Sequence, residues 1–295
     1  MPPTDLRLGI VTPVVTRLPR SHAQWEETAG LAEVEQIVVE AERLGYAHAT
    51  CSEHIAIPKE IAAVRGGTYW DPLPVFGYLA ARTTSIRFAT FVLVLGYHHP
   101  LEIVKRYGTL DVVSGGRLVL GVGVGSLQQE FELIRAPFDD RGERADDALR
   151  ALRASFGRPE PAYTGTHYSY GGFVVDPCGV QTDVPIWIGG RTGRSLRRAV
   201  ELADGWAPFG LSLAEMVPML ERARAGAAWA ARTTDLDVVL QHDRPLDPVG
   251  DPDGARAALG ALRDAGATTV NVRFVHHSPD HYCEQLAALV PLAAG

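Results

Sequence analysis

Lysine is almost missing from this chain: Lys59 and Lys105 are the only two in 295 residues, and arginine supplies the other basic side chains. With alanine abundant, that bias points to a high-G+C bacterial coding sequence. Cysteine is nearly as scarce. Cys51, Cys178 and Cys283 are odd in number and far apart, which argues against a disulfide framework and for reduced thiols; none has the spacing of metal ligands, so no metal is expected. Basic charge is not in excess either. A formal net charge of -7 lacks the footprint of a nucleic-acid or anionic-membrane partner. No segment approaches the roughly 18 uninterrupted apolar residues of a membrane span. Met1-Pro2-Pro3-Thr4-Asp5 also lacks the basic and apolar regions of a secretion signal. A cytoplasmic protein acting on a small molecule is the expectation.

What is present is an ordinary globular balance, 46% hydrophobic and 21% charged, with enough chain for a large core. Eight apolar runs alternate with helical stretches: 6–14, 48–54, 86–95, 118–124, 186–190, 205–210, 236–242 and 269–275. The third, from Ile86 to Leu95, is nearly continuous in apolar residues, as strands covered on both faces of a parallel sheet require. Eight such units predict one domain over residues 1–295, an α/β chain folded as a (β/α)8 TIM barrel, with an open doubly wound sheet as the alternative. Gly45, Gly116 and Gly266 sit where helix-to-strand turns need them. Between Pro159 and Pro185 the alternation lapses into the aromatic and glycine-rich Tyr163 to Phe173, a small hairpin inserted between helix 4 and strand 5, serving as a lid or wall over the site or as a plug.

Reactive residues gather after the runs. The second ends in Ser52-Glu53-His54, a carboxylate beside an imidazole able to exchange protons near neutral pH. The fourth ends in Gly121-Val122-Gly123-Val124-Gly125, whose glycines leave one strand face bare for something flat to approach, or for tight packing. The fifth runs into Gly189-Gly190-Arg191-Thr192-Gly193-Arg194-Ser195, a glycine turn opening a helix. Free N–H groups at its start, with Arg191, Thr192, Arg194 and Ser195, suit a phosphate; a plain Thr192 cap with solvated arginines is the simpler reading. His99 precedes a proline that starts a helix, and the neighbouring His98 diverges from it too far to share a metal.

With these pieces assembled, the chain resembles the bacterial luciferase-like superfamily, and more closely its deazaflavin (coenzyme F420)-dependent oxidoreductase branch. The resemblance rests on Ser52-Glu53-His54, His99-Pro100-Leu101, the stretch from Leu110 to Leu118, Gly121 to Gly125, Ile186 to Gly190, and Ala203-Asp204-Gly205-Trp206. It implies an isoalloxazine-type ring at the mouth, with a phosphate-bearing tail along Gly123, Val124, Gly125, Gly189, Gly190, Arg191, Thr192 and Ser195. It further implies a cis peptide in strand three, at Phe91-Val92 or Thr90-Phe91, backing the ring, and a homodimer. His54 would then act as acid or base with Glu53 orienting or tuning it, while the cofactor supplies the electrons. Actinobacterial use of F420 fits the coding bias. Trp70, Tyr97, Trp187 and Phe209 would help wall an apolar pocket. Two other readings stand beside this one: a monooxygenase using reduced FMN, and a non-catalytic flavin- or partner-binding barrel.

Overall fold

A computed structural model describes residues 6–19 and 22–294. Eight parallel strands close on themselves: β1 (Arg7–Ile10), β2 (His48–Cys51), β3 (Arg87–Thr90), β4 (Leu118–Gly123), β5 (Ile186–Gly189), β6 (Gly205–Ala207), β7 (Asp237–Leu240) and β8 (Thr269–Val272). Neighbours in sequence pair around the ring. The register Arg7↔Thr269 joins β1 to β8, and Trp187↔Gly121 joins β5 to β4, so no edge is left. An α-helix follows each strand: α1 (Leu31–Arg43), α2 (Pro72–Ala80), α3 (Pro100–Ser114), α4 (Arg141–Ser155), α5 (Gly193–Leu202), α6 (Leu213–Arg224), α7 (Pro252–Asp264) and α8 (Pro279–Ala293). The open doubly wound alternative is thereby excluded.

The strands are shorter than their apolar runs because each run's end peels away into a mouth loop. The third run is divided: β3 stops at Thr90, the Phe91-Val92 peptide is cis, and Leu93–Val94 resumes pairing with β4. Before α1 the chain makes a separate turn at Gln24–Glu27, and Gly30 caps the helix that starts at Leu31. Gly45 (φ 83°), Gly116 (φ 83°) and Gly266 (φ 90°) do turn helix ends back toward strands in the left-handed conformation that glycine adopts at little cost.

Alternation along the strands builds two cores. Outward residues such as Ile10, Phe88, Leu120, Trp206 and Val272 pack beneath the helices, while Ala89, Val119, Trp187, Ala207 and Val239 fill the barrel. Each large side chain fully buried in the outer layer contributes about 1.5 to 3 kcal/mol, so that layer carries most of the stability. The inner core is less apolar. His48 lies edge-on to Trp187 with ring centroids 5.0 Å apart, and its Nε2 is 2.5 Å from Asn271 Oδ1. Its ring fits because position 9 is glycine, where a Cβ would fall 2.0 Å from the imidazole. Burial pushes His48 down to about 4, so it sits in the barrel as a neutral group. Trp187 thus belongs to this inner core and is not a substrate wall.

The inserted segment forms an antiparallel hairpin, Tyr163–Thr164 with Ser169–Tyr170. Asp147 of α4 fastens it by accepting from the Tyr163 hydroxyl (2.5 Å), the His167 amide (2.6 Å) and the Tyr168 amide (3.0 Å), while Tyr168 and Tyr170 pack on the His99 ring. These contacts fix the hairpin to the flank formed by α3 and α4.

Candidate active site

His54 and Glu53, adjacent in sequence, separate in space. Glu53 turns toward the segment after β3, where one carboxylate oxygen accepts from the Val94 amide (2.8 Å) and the other meets His98 Nε2 (2.7 Å). It does not orient His54, because both its oxygens are committed elsewhere. The partner of His54 is a residue the sequence reading passed over. Glu130, in the short helix Gln128–Leu133 after β4, places Oε2 2.7 Å from His54 Nδ1. The same oxygen accepts from the Tyr97 hydroxyl (2.8 Å), and Oε1 accepts from the amides of Ile55 (2.9 Å) and Ala56 (3.2 Å). Burial alone would raise the Glu130 carboxyl, but the bonds from His54, Tyr97 and Ala56 outweigh it and hold the group below the usual range. A fully enclosed carboxylate with every lone pair used is a fixed negative anchor.

That anchor defines the histidine. With Nδ1 engaged by Glu130, neutral His54 carries its proton on Nδ1 and leaves Nε2 free; no partner for Nε2 exists among the described residues. The ring stands edge-on to Tyr69 at 4.4 Å, which fixes its plane. Tyr97 gives up no proton itself: burial, then the Glu130 bond, push its hydroxyl far up, so it stays a neutral donor to Glu130.

The glycines of β4 prove to be filled by protein. A Cβ on Gly121 would fall 1.9 Å from Thr90 O, one on Gly123 2.8 Å from Val92, and one on Gly125 2.6 Å from Phe131. Gly189 likewise faces Val92 at 2.5 Å. The bare strand face therefore receives the segment after β3, and Val92 becomes the surface behind the mouth. Thr90 is fully buried with its hydroxyl on Gly121 O (2.7 Å), so it cannot also touch a cofactor. Phe91 remains half-buried near Phe209, ring centroids 6.3 Å apart and planes nearly perpendicular, and these two give the mouth an apolar corner. Val124, between Gly123 and Gly125, is half-buried and packs against the outer core.

At the start of α5, Gly190 (φ 117°) makes the turn and Thr192 caps the helix, accepting from the Ser195 amide at 3.3 Å. Ser195 is lost as a phosphate ligand because its buried hydroxyl donates to Thr192 O (2.7 Å) and accepts from Trp206 Nε1 (3.3 Å). Arg191 and Arg194 are exposed, and among the described residues neither they nor the Gly193 and Arg194 amides have a partner. The groups here that an anion could meet are thus fewer than expected: two amides, two guanidinium groups and a cap. Among the described residues no three His, Cys, Asp or Glu side chains converge as metal ligands, and no helix is long and apolar enough to cross a membrane.

A barrel with a histidine-carboxylate pair and an arginine-bearing helix start at the same mouth matches known proteins along its length. The model of the luciferase-like monooxygenase family covers residues 6–244. This chain belongs to that family. An F420-dependent glucose-6-phosphate dehydrogenase of Microbacterium testaceum is 30% identical over 240 residues, spanning 75% of this chain and 68% of the relative. An uncharacterised protein of Mycobacterium tuberculosis is 29% identical over 79% of this chain and 82% of its own length. In fold, the chain is similar to an F420-dependent secondary alcohol dehydrogenase in complex with an F420-acetone adduct (TM-score 0.75, 11% identity, 98% and 99% of the two chains). It is also similar to the FMN-bound oxygenating constituent of 3,6-diketocamphane monooxygenase from Pseudomonas putida (TM-score 0.72, 17% identity, 98% of each chain). The family is one of oxidoreductases and monooxygenases whose members include F420 and FMN users.

Proposed function

We propose that this protein is an F420-dependent oxidoreductase that transfers hydride between the deazaflavin C5 and a small organic substrate, with His54 exchanging the accompanying proton. The observation that carries this reading is the pair His54–Glu130: an imidazole held by a buried carboxylate through Nδ1, with Nε2 open at the mouth. Such an arrangement donates or accepts a proton at one defined atom, and positioned acid–base groups contribute about 10²- to 10⁴-fold to rate. Glu130 acts through His54, by fixing its tautomer and the plane of its ring.

The residues present fit the cofactor. Phe91 and Phe209, set edge to face, offer an apolar corner for a tricyclic ring, and the start of α5 offers unpaired amides with Arg191 and Arg194 for an anionic tail. Bound there, a deazaflavin would supply two-electron hydride chemistry; the protein's part is to hold it and to move the proton. The F420-dependent relative at 30% identity favours deazaflavin over FMN. Fluorescence titration of the purified protein with F420 and, separately, with FMN tests this. Selective binding of F420 at micromolar or lower Kd is expected. Selective binding of FMN would replace the reading with a reduced-FMN monooxygenase, and binding of neither would replace it with a non-catalytic barrel.

A further inference from the structure

Beyond the histidine, the mouth contains a second polar feature that the proton chemistry does not use. Between the ends of β1 and β8 lies a cavity of about 50 Å³ bordered by Thr16, Glu26, Arg273, His276 and Tyr282. Its negative group is already occupied: Glu26 accepts from the amides of Val14 and Ala23, both at 2.8 Å, and lies 3.6 Å from His276 Nε2. Trp25 Nε1 donates to His276 Nδ1 at 3.0 Å, so the ring proton is on Nε2 and faces Glu26. Burial, with the neighbouring His281 and His277, pushes His276 down to about 4, leaving it uncharged. The loop is forced into this shape, since Val14, a β-branched residue, stands at φ 71° with its amide on Glu26.

The positive group is not occupied in the same way. Arg273 follows β8 at an inward position, donating from Nη2 to the carbonyls of Asp243 (3.0 Å) and His242 (3.3 Å). With the Gln241 amide turned to present its oxygen, Nε is bonded as well, at 2.6 Å. No carboxylate lies within 4.0 Å of the guanidinium among the described residues; the nearby Asp243 carboxylate meets His242 Nδ1 instead. Nη1 has no partner among the described residues. Thr16 borders the same cavity, and its hydroxyl, closed off in this rotamer and one side-chain rotation from the space, also has none. A cation with spare donors and an unpaired hydroxyl around a space larger than one water describe a receptor for an anionic oxygen group.

We propose that this cavity receives the carboxylate of the substrate, with Arg273 as its cation and Thr16 as a hydroxyl donor. The geometry ties it to the proton-exchanging side chain. Thr16 is the register partner of Tyr69 in a two-residue antiparallel ribbon, and the His54 ring stands on Tyr69. Paired residues in such a ribbon are about 5 Å apart at Cα. A small acid anchored in the cavity therefore extends back over Tyr69 toward His54 Nε2. The role of His54 rests on the function proposed above; the anion site does not.

Calorimetric titration of the cofactor-free protein with benzoate and with benzamide, alike in shape but differing in charge, tests the inference. Benzoate is expected to bind at least about tenfold more tightly, the effect of a hydrogen bond to a charged group. Arg273→Gln should abolish that preference, Arg273→Lys should keep part of it, and Thr16→Val should weaken benzoate several-fold. Equal affinity for the two probes, absence of benzoate binding, or a preference that survives Arg273→Gln would overturn the proposal. Should Arg273→Gln not fold, an unchanged benzoate Kd in Thr16→Val would do so. F420 and FMN titrations of the same variants separate the two claims, because lost cofactor binding with an intact benzoate preference would fault the function and spare the site.

Discussion

Two histidines, His54 and His98, each stand 2.7 Å from a carboxylate, yet they are built for different work. His98 is closed on both sides: Nε2 meets Glu53 and Nδ1 lies 3.3 Å from Glu102. Burial opposes its charge, but the bond and charge of Glu53, then Glu102, prevail and raise it above the usual range. It ties the end of β2 to the start of α3 through two carboxylates. His54 has one side fixed and one side free, and its side chain is 21% exposed against 10% for His98. A histidine–carboxylate contact alone does not mark a proton-exchange site; under the proposed function it is the unengaged nitrogen that does.

The comparison can be broken from either side. The largest effect belongs to His54→Ala, which should lower kcat by about 10²- to 10⁴-fold while F420 affinity and melting temperature hold; a rate within a few-fold of wild type would remove His54 from the chemistry. His98→Ala should act oppositely. Leaving Glu53 without this partner costs about 3 kcal/mol of stability, read in chemical denaturation, with kcat in the remaining folded protein little changed. Glu130→Gln keeps the shape but not the charge, so kcat should fall about 10- to 100-fold with its pH profile displaced. A profile identical to wild type would show that Glu130 is only a packing residue.

Titration sharpens the same contrast with smaller effects. Because His98 is raised when folded, its contribution to stability is complete below its ordinary value of 6.5 and disappears as pH rises through the folded value. Denaturation midpoints should therefore decline above pH 6.5 in wild type and less so in His98→Gln. Glu130 runs the other way: lowered when folded, it contributes above its ordinary value of 4.5 and is lost as pH falls through the folded value. Glu130→Gln should lose less stability than wild type on acidification below pH 4.5.

The barrel was legible because strands covered on both faces need unbroken apolar runs, and Ile86 to Leu95 has one even though the chain breaks pairing after Thr90. His54 was legible because it follows a strand at the end where barrels do chemistry. Its partner was not. Glu130 lies 76 residues on, in a six-residue helix with no periodic signal, and nothing local distinguishes it from the exposed Glu132. Adjacency suggested Glu53 instead, but neighbouring side chains on extended backbone point apart. The glycines of β4 misled for a related reason: composition shows that a face is bare, whereas what fills it, here Thr90 O and Val92, is decided by a strand some 30 residues away. Ser195 and Thr90 were chemically reasonable ligands whose hydroxyls the fold had already used.

The most direct test of the account is the tautomer of His54, read from ¹⁵N chemical shifts of the labelled imidazole in wild type and in Glu130→Gln. In its neutral form the wild-type ring is expected to be protonated on Nδ1, with that preference lost in the variant. A ring protonated on Nε2, or a tautomer indifferent to Glu130→Gln, would contradict it.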